Sequence, residues 1–170
     1  MERTTHHLKT ISPEAITRAV AKAERYRLLN QSWATESICL DILEVDPGNQ
    51  QVLVMLLLSL TDQFGAEPGE LTRRAQGILT RLTDPYQQFY YAGIIDERLG
   101  HAKLLHGAMH ADAIAYRSFR TAMSAYEQAA ALRKAGNDDA LLRWNTCART
   151  IDRLGLQEDS EGTYEPVFGE

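Results

Sequence analysis

The stretch Leu40 to Leu60, LDILEVDPGNQQVLVMLLLSL, constrains this fold most, because it holds the end of one helix, a tight turn and the start of another. The unit is a helical hairpin. Proline lacks an N–H and pushes its predecessor out of the α region, so Asp46-Pro47 stops the first helix, while Gly48 tolerates turn dihedrals and Asn49 can cap the next. From Val52 to Leu60 only Ser59 is polar. An apolar stripe on one side would not need so many hydrophobic residues, so this helix is expected to be covered on several sides. It is far shorter than the roughly 20 residues a membrane-spanning helix requires.

The rest of the chain repeats this grammar. Ser12-Pro13-Glu14 announces a first helix from Pro13 to about Asn30, with an N-cap hydroxyl, a proline in the first turn and an acid at the positive end of the helix dipole. Ile16, Ala19, Val20, Ala23, Tyr26 and Leu29 form its apolar face. A second helix, about Trp33 to Val45, is expected to bury Trp33, Ile38, Cys39, Ile42 and Leu43, and a third runs from about Gln50 to Phe64. Gly65–Glu70 reads as a loop, since two glycines and a proline in six residues would be costly inside a helix. A fourth helix resumes at Leu71. Asp84-Pro85 opens a fifth, in which Gly93 admits a close neighbour and Gly107 is the stop. A sixth spans about Asp112 to Lys134 with Gly136-Asn137 as its left-handed cap, and a seventh spans about Asp138 to Leu154 with Gly155 as its cap. No stretch shows strand alternation between hairpin turns, so the fold class is all-α.

Composition narrows the function classes. With the five acids of 156–170 set aside, residues 1–155 hold 18 acids against 18 bases, without the basic excess that nucleic-acid binding normally requires. Residues 1–12 read as a flexible N-terminus, 13–155 as one helical domain, and 156–170 as an acidic disordered tail in which Tyr164, Val167 and Phe168 could dock onto the body. The N-terminus has no apolar segment of the signal-peptide kind, so neither export nor membrane attachment is expected, and the cytoplasm is the default location. Cys39 and Cys147 both fall on apolar helix faces and read as core thiols of a reducing compartment.

Internal spacing brings in a family resemblance. Relative to a 34-residue pattern of small and large apolar positions, Ile16 to Asn49 supplies Ala19, Ala23, Tyr26, Cys39, Ile42 and Pro47, with Thr35 where a small alanine is usual. Phe89, Gly93 and Gly100, then Ala122, Tyr126 and Ala129, supply another unit. Between them, Leu53, Leu57, Leu60 and Phe64 fit a degenerate one. The chain thus resembles the tetratricopeptide-repeat family over residues 13–154, with the seventh helix in the place of a capping helix. That resemblance implies a right-handed superhelix of helical hairpins, without cofactors, whose concave side binds a peptide or protein partner.

Carried over position by position, the resemblance points to Thr17, Glu24 and Arg27 in the first unit, Tyr90, Ile94, Glu97 and Arg98 in the third, and Asn145 and Arg149 in the capping helix. The members that clamp a C-terminal carboxylate use a lysine where this chain has Val20, so that subtype is disfavoured. A metal-dependent enzyme is the rival reading. Its foothold is Asp96, Glu97, His101, His106, His110 and Asp112, of which Glu97 and His101 are four apart on one helical face. Gly107 should break the helix between His106 and His110, and no HExxH motif occurs. No nucleophile or phosphate-loop motif is present either.

Overall fold

In the computed structural model, residues 6–65, 67–107 and 110–158 are described, and they form seven α-helices without a strand. After a single 3-10 turn at Pro13–Ala15 come α1 (Ile16–Leu28), α2 (Ser32–Val45), α3 (Gln50–Thr61), α4 (Gly69–Leu79), α5 (Pro85–His106), α6 (Ala111–Ala131) and α7 (Asp139–Leu154). None of the helices is long and apolar enough to cross a membrane. Each packs chiefly on its neighbours in sequence, and contact between alternate helices is light, at α1–α3 and α3–α5.

Helix ends follow local chemistry. Asn49 Oδ1 accepts from the Val52 amide and Asp84 Oδ1 from the Tyr86 amide, so both act as N-caps at the starts of α3 and α5. Asn30, Gly107 and Gly155 all take left-handed conformations just past helix ends. At two of these ends the amide just after the left-handed residue reaches back, Gln31 to Tyr26 and Leu156 to Ile151, which satisfies carbonyls the helix leaves open. Two caps differ from expectation. Ser12 is extended and makes no side-chain cap, because the 3-10 turn begins there through its carbonyl. Gly136 has φ +84°, yet α6 already stops at Ala131; Arg133 Nη1 satisfies the Ala130 carbonyl, and Gly136 belongs to a separate turn closed by the Asn137 amide on Lys134.

The core falls into two clusters. One gathers Ala23, Cys39, Ile42, Leu53, Leu57, Leu60, Ala75 and Ile95, and the other Ile94, Phe119, Ala122, Tyr126, Ala129 and Cys147. Successive residues of α5, Ile94 and Ile95, therefore serve different clusters, while Leu58 and Tyr91 border both. The all-round burial expected of α3 holds, for Val52, Leu53, Leu57 and Leu60 are at most 1% exposed. Trp33, expected inside, is 71% exposed. It sits two residues before Thr35, roughly opposite the Thr35, Cys39, Ile42 face that α2 buries. Leu105 at the end of α5 is likewise exposed.

Close helix approaches use small residues. Gly93 of α5 lies against the Tyr126 ring of α6, and Gly100 against Phe119. Thr35, fully buried in place of a small alanine, donates its hydroxyl to the Ala23 carbonyl across the α1–α2 pair. The terminal segments depart in part from the flexible reading. Ile11 packs on the first cluster, and Leu156 is 5% exposed within the second. The remaining acidic residues from 159 onward, with Tyr164, Val167 and Phe168, lie outside the described residues.

Candidate functional site

Charged and aromatic side chains from α1, the end of α3, α5 and α7 meet on one side of the molecule. Asp62, just past α3, is the first junction. Its Oδ1 accepts from Arg98 Nη1 of α5, and its Oδ2 lies 3.4 Å from Arg27 Nε of α1. Arg98 Nη1 also approaches the Thr61 hydroxyl and the Leu58 carbonyl, the latter at 3.0 Å. Arg27 Nε is near enough to Asp62 for an ion pair but is not aligned for a hydrogen bond, and it is buried without a hydrogen-bond partner. Burial, then the nearby charges of Arg27 and Arg143, work to lower the Arg98 pKa, against Asp62 and Glu97, and the net shift is downward.

Glu97, one residue earlier on α5, is the second junction. It is 3% exposed. Its Oε2 accepts from the Tyr126 hydroxyl of α6, and its Oε1 from Arg143 Nη1 of α7 at 3.2 Å. Burial first, and then the Glu97 charge, push the Tyr126 pKa up. For Arg143 the largest single effect, burial, lowers the pKa, but Glu97 with the Tyr90 and Tyr126 side chains outweighs it and leaves the value raised.

Beside this junction, α5 carries three tyrosines in contact. Tyr86 stacks on Tyr90 at 5.8 Å between ring centroids, and Tyr90 meets Tyr91 edge-on at 5.2 Å. Tyr86, Tyr90, Tyr91 and Leu132 line a cleft of ≈ 320 Å³ together with the polar and charged Asp84, Gln87, Lys134, Asn137 and Asp139. Asp139 is one helical turn before Arg143, so the cleft leads along α7 toward the Arg143–Glu97 pair.

The structure thus brings together Arg27, Tyr90, Glu97 and Arg98 of the expected set. Their roles differ from those of free groove residues. Glu97 is a buried acceptor, and Ile94, 2% exposed, is core. Thr17 and Glu24 are exposed on α1, with no hydrogen bond or ion pair between them and the junctions. Asn145 and Arg149 are exposed on α7, but at 100° per residue they stand about 200° and 240° round the helix from Arg143. Arg149 instead borders a shallow recess of ≈ 380 Å³ with Thr146, Thr150 and Arg153. Arg143 is the residue the sequence reading missed. The repeat register supplied only exposed-looking positions on α7, whereas Arg143 is recognised by its buried partner, which lies 46 residues away in the chain.

The histidine region has no metal-site geometry among the described residues, where no group of three or more His, Cys, Asp or Glu could hold an ion. His101 is half-buried, edge-on to Phe119 at 4.9 Å, and desolvation lowers its pKa. Glu97, four residues before it, is committed to Tyr126 and Arg143. His106 and His110 are exposed on either side of the Gly107 break. A wider recess of ≈ 530 Å³ with Arg18, Lys22, Arg25 and Tyr26 lies along α1 alone. Comparison of the chain with protein-family models, curated proteins and solved structures finds no match.

Proposed function

We propose that this chain is a protein-interaction module of the tetratricopeptide-repeat kind, a right-handed array of helical hairpins whose concave side receives an extended segment of a protein partner. The observation that carries this reading is the convergence of Arg27, Asp62, Arg98, Tyr90 and Arg143 from alternating helices on one face, beside the tyrosine-lined cleft. Packing between sequence neighbours, with glycine facing an aromatic ring at Gly93–Tyr126 and Gly100–Phe119, agrees with stacked hairpins. Tyrosines give rigid contact area with a polar tip, and guanidinium forks recognise peptide carbonyls and carboxylates.

Selection of ligands from a random peptide display library on the immobilised protein tests the reading. Selected peptides are expected to perturb the amide resonances of α5 and α7 around Tyr90 and Arg143 and to bind a Tyr90→Ala variant more weakly. Peptides that bind Tyr90→Ala as well as the parent, or that perturb only the far sides of α2 and α6, would refute it.

A further inference from the structure

The outward side of α1 carries unpaired positive charge. Arg18, Lys22 and Arg25 recur at helical spacing on the side roughly opposite the buried Ala23, and with Ala21 and Tyr26 they line the recess of ≈ 530 Å³. Among the described residues none of the three cations has an ion pair or a side-chain hydrogen bond, and Lys22 lies over the Tyr26 ring at 5.8 Å. Nearby acids do not balance them. Residues 13–28 supply Glu14 and Glu24 alone, while on α2 Glu36 is taken by Arg74 and Gln63, and Asp41 and Glu44 line a separate recess with Lys9.

The same stripe runs out into exposed hydrocarbon. Leu28 and Leu29 extend it by one turn, and Trp33 follows across the left-handed Asn30, at exposures of 75%, 59% and 71%. No acid occurs from residue 25 to residue 35. Large apolar side chains grouped on a surface beside charges mark a place of contact.

A segment of matching composition belongs to this chain. Residues 159–170 hold Asp159, Glu161, Glu165 and Glu170, no Lys, Arg or His, and the bulky Tyr164, Val167 and Phe168. The chain enters that segment from α7, where Leu156 is 5% exposed in the second core cluster, whereas α1 belongs to the first. From α7 the packed path to α1 runs by α5 and α3, roughly 24–30 Å at 8–10 Å for each pair. Glu161, five residues past Leu156, reaches at most about 18 Å. Its own α1 is therefore out of range, and that of another copy is not.

We propose that residues 159–170 of one copy dock on α1 of a second copy, with carboxylates on Arg18, Lys22 and Arg25 and apolar side chains on Leu28, Leu29 and Trp33. The joined surfaces are unlike, so the contact is head-to-tail and leaves a free stripe and a free tail on every open assembly. Arg25 stands about 200° round the helix from Arg27, so this contact is independent of the peptide groove.

Sedimentation velocity of the full chain from about 10 µM to about 1 mM tests the proposal, a range that brackets micromolar to millimolar Kd values. The parent is expected to form dimers and larger species as concentration rises, and to associate about tenfold more weakly at about 300 mM than at about 50 mM salt. Arg18→Gln, Lys22→Gln and Arg25→Gln together neutralise the stripe, and Asp159→Asn, Glu161→Gln, Glu165→Gln and Glu170→Gln together neutralise the tail. Each variant alone should stay monomeric with a thermal melt near that of the parent. Mixed, the two should give a 1:1 pair and nothing larger, since each keeps one working surface. Arg117→Gln with Arg120→Gln, exposed on α6, should associate like the parent. A monomeric parent across the range, or a mixture that does not pair, overturns the proposal, as does equal weakening by the α6 variant. Tryptophan emission that is independent of concentration in the parent yet moves in the tail variant would show docking within one chain, and also overturns it. Binding to phosphatidylserine vesicles by a parent that remains monomeric would assign the stripe to a membrane surface instead.

Discussion

A Cβ added to Gly93 would fall 2.5 Å from Cε1 of Tyr126, inside any real carbon–carbon contact. Tyr126 has no room to yield, since it is fully buried and its hydroxyl is held by Glu97. Gly93→Ala is therefore expected to destabilise the chain by about 1–3 kcal/mol through overpacking, despite the better helix propensity of alanine. Gly77, exposed in α4 with nothing within 4 Å of an added Cβ, is the control. There Gly→Ala should stabilise by about 0.4–1 kcal/mol, and urea unfolding of both variants decides.

Tyr126→Phe removes the donor from one oxygen of a carboxylate that is 3% exposed. A buried acceptor left unpaired costs about 1–3 kcal/mol, so the urea midpoint should fall. Trp144 donates to Glu127 at the α6–α7 surface, and Glu127→Gln, exposed there and still able to accept, should shift stability by less than about 0.5 kcal/mol.

Asp96 on α5 is partly buried, and desolvation raises its pKa to about 6. The folded state then holds this proton more tightly than the unfolded chain does. Its contribution to stability is complete below the ordinary carboxylate range, near pH 4, and is lost as pH rises through 6. Asp96→Asn should leave stability unchanged near pH 4 and raise it at pH 7 by on the order of 1–2 kcal/mol, after allowance for partial exposure. Denaturant titrations at the two pH values supply the check, and an equal effect at both would refute this account.

Burial pushes the thiols of Cys39 and Cys147 up to about 12. Thiolate is the reactive form, so neither should react quickly with a disulfide reagent at pH 8 in the folded protein. Both should react at once in denaturant. A fast equivalent in the native protein would show that one of the clusters opens readily.

Local signals made most of the fold legible. The Asp46–Asn49 turn, the Asp84-Pro85 start, the Gly107 and Gly155 stops and the apolar Val52–Leu58 run of α3 each act over a few residues, and the structure carries all of them. Trp33 was harder, because apolar character does not say which side of a helix finds a neighbour. The site was less visible for a similar reason. Arg27, Tyr90, Glu97 and Arg98 can be picked from a repeat register, but whether a charged residue is free or committed depends on partners such as Asp62 and Arg143, 36 and 46 residues away from Arg98 and Glu97 respectively. Asn145 and Arg149 show the same gap, since register alone could not fix how α7 is rotated.

The placement of Ile94 and Ile95 in different clusters bears on how the molecule comes apart. Helices α1 to α4 close one cluster, α6 and α7 the other, and α5 is the wall they share. Cooperative opening follows such boundaries, because each cluster loses its buried area as a unit. Amide hydrogen exchange is therefore expected to sort into two groups of protection, with α6 and α7 in one and α2 and α3 in the other. The amides of α5 would exchange only with the more stable of the two.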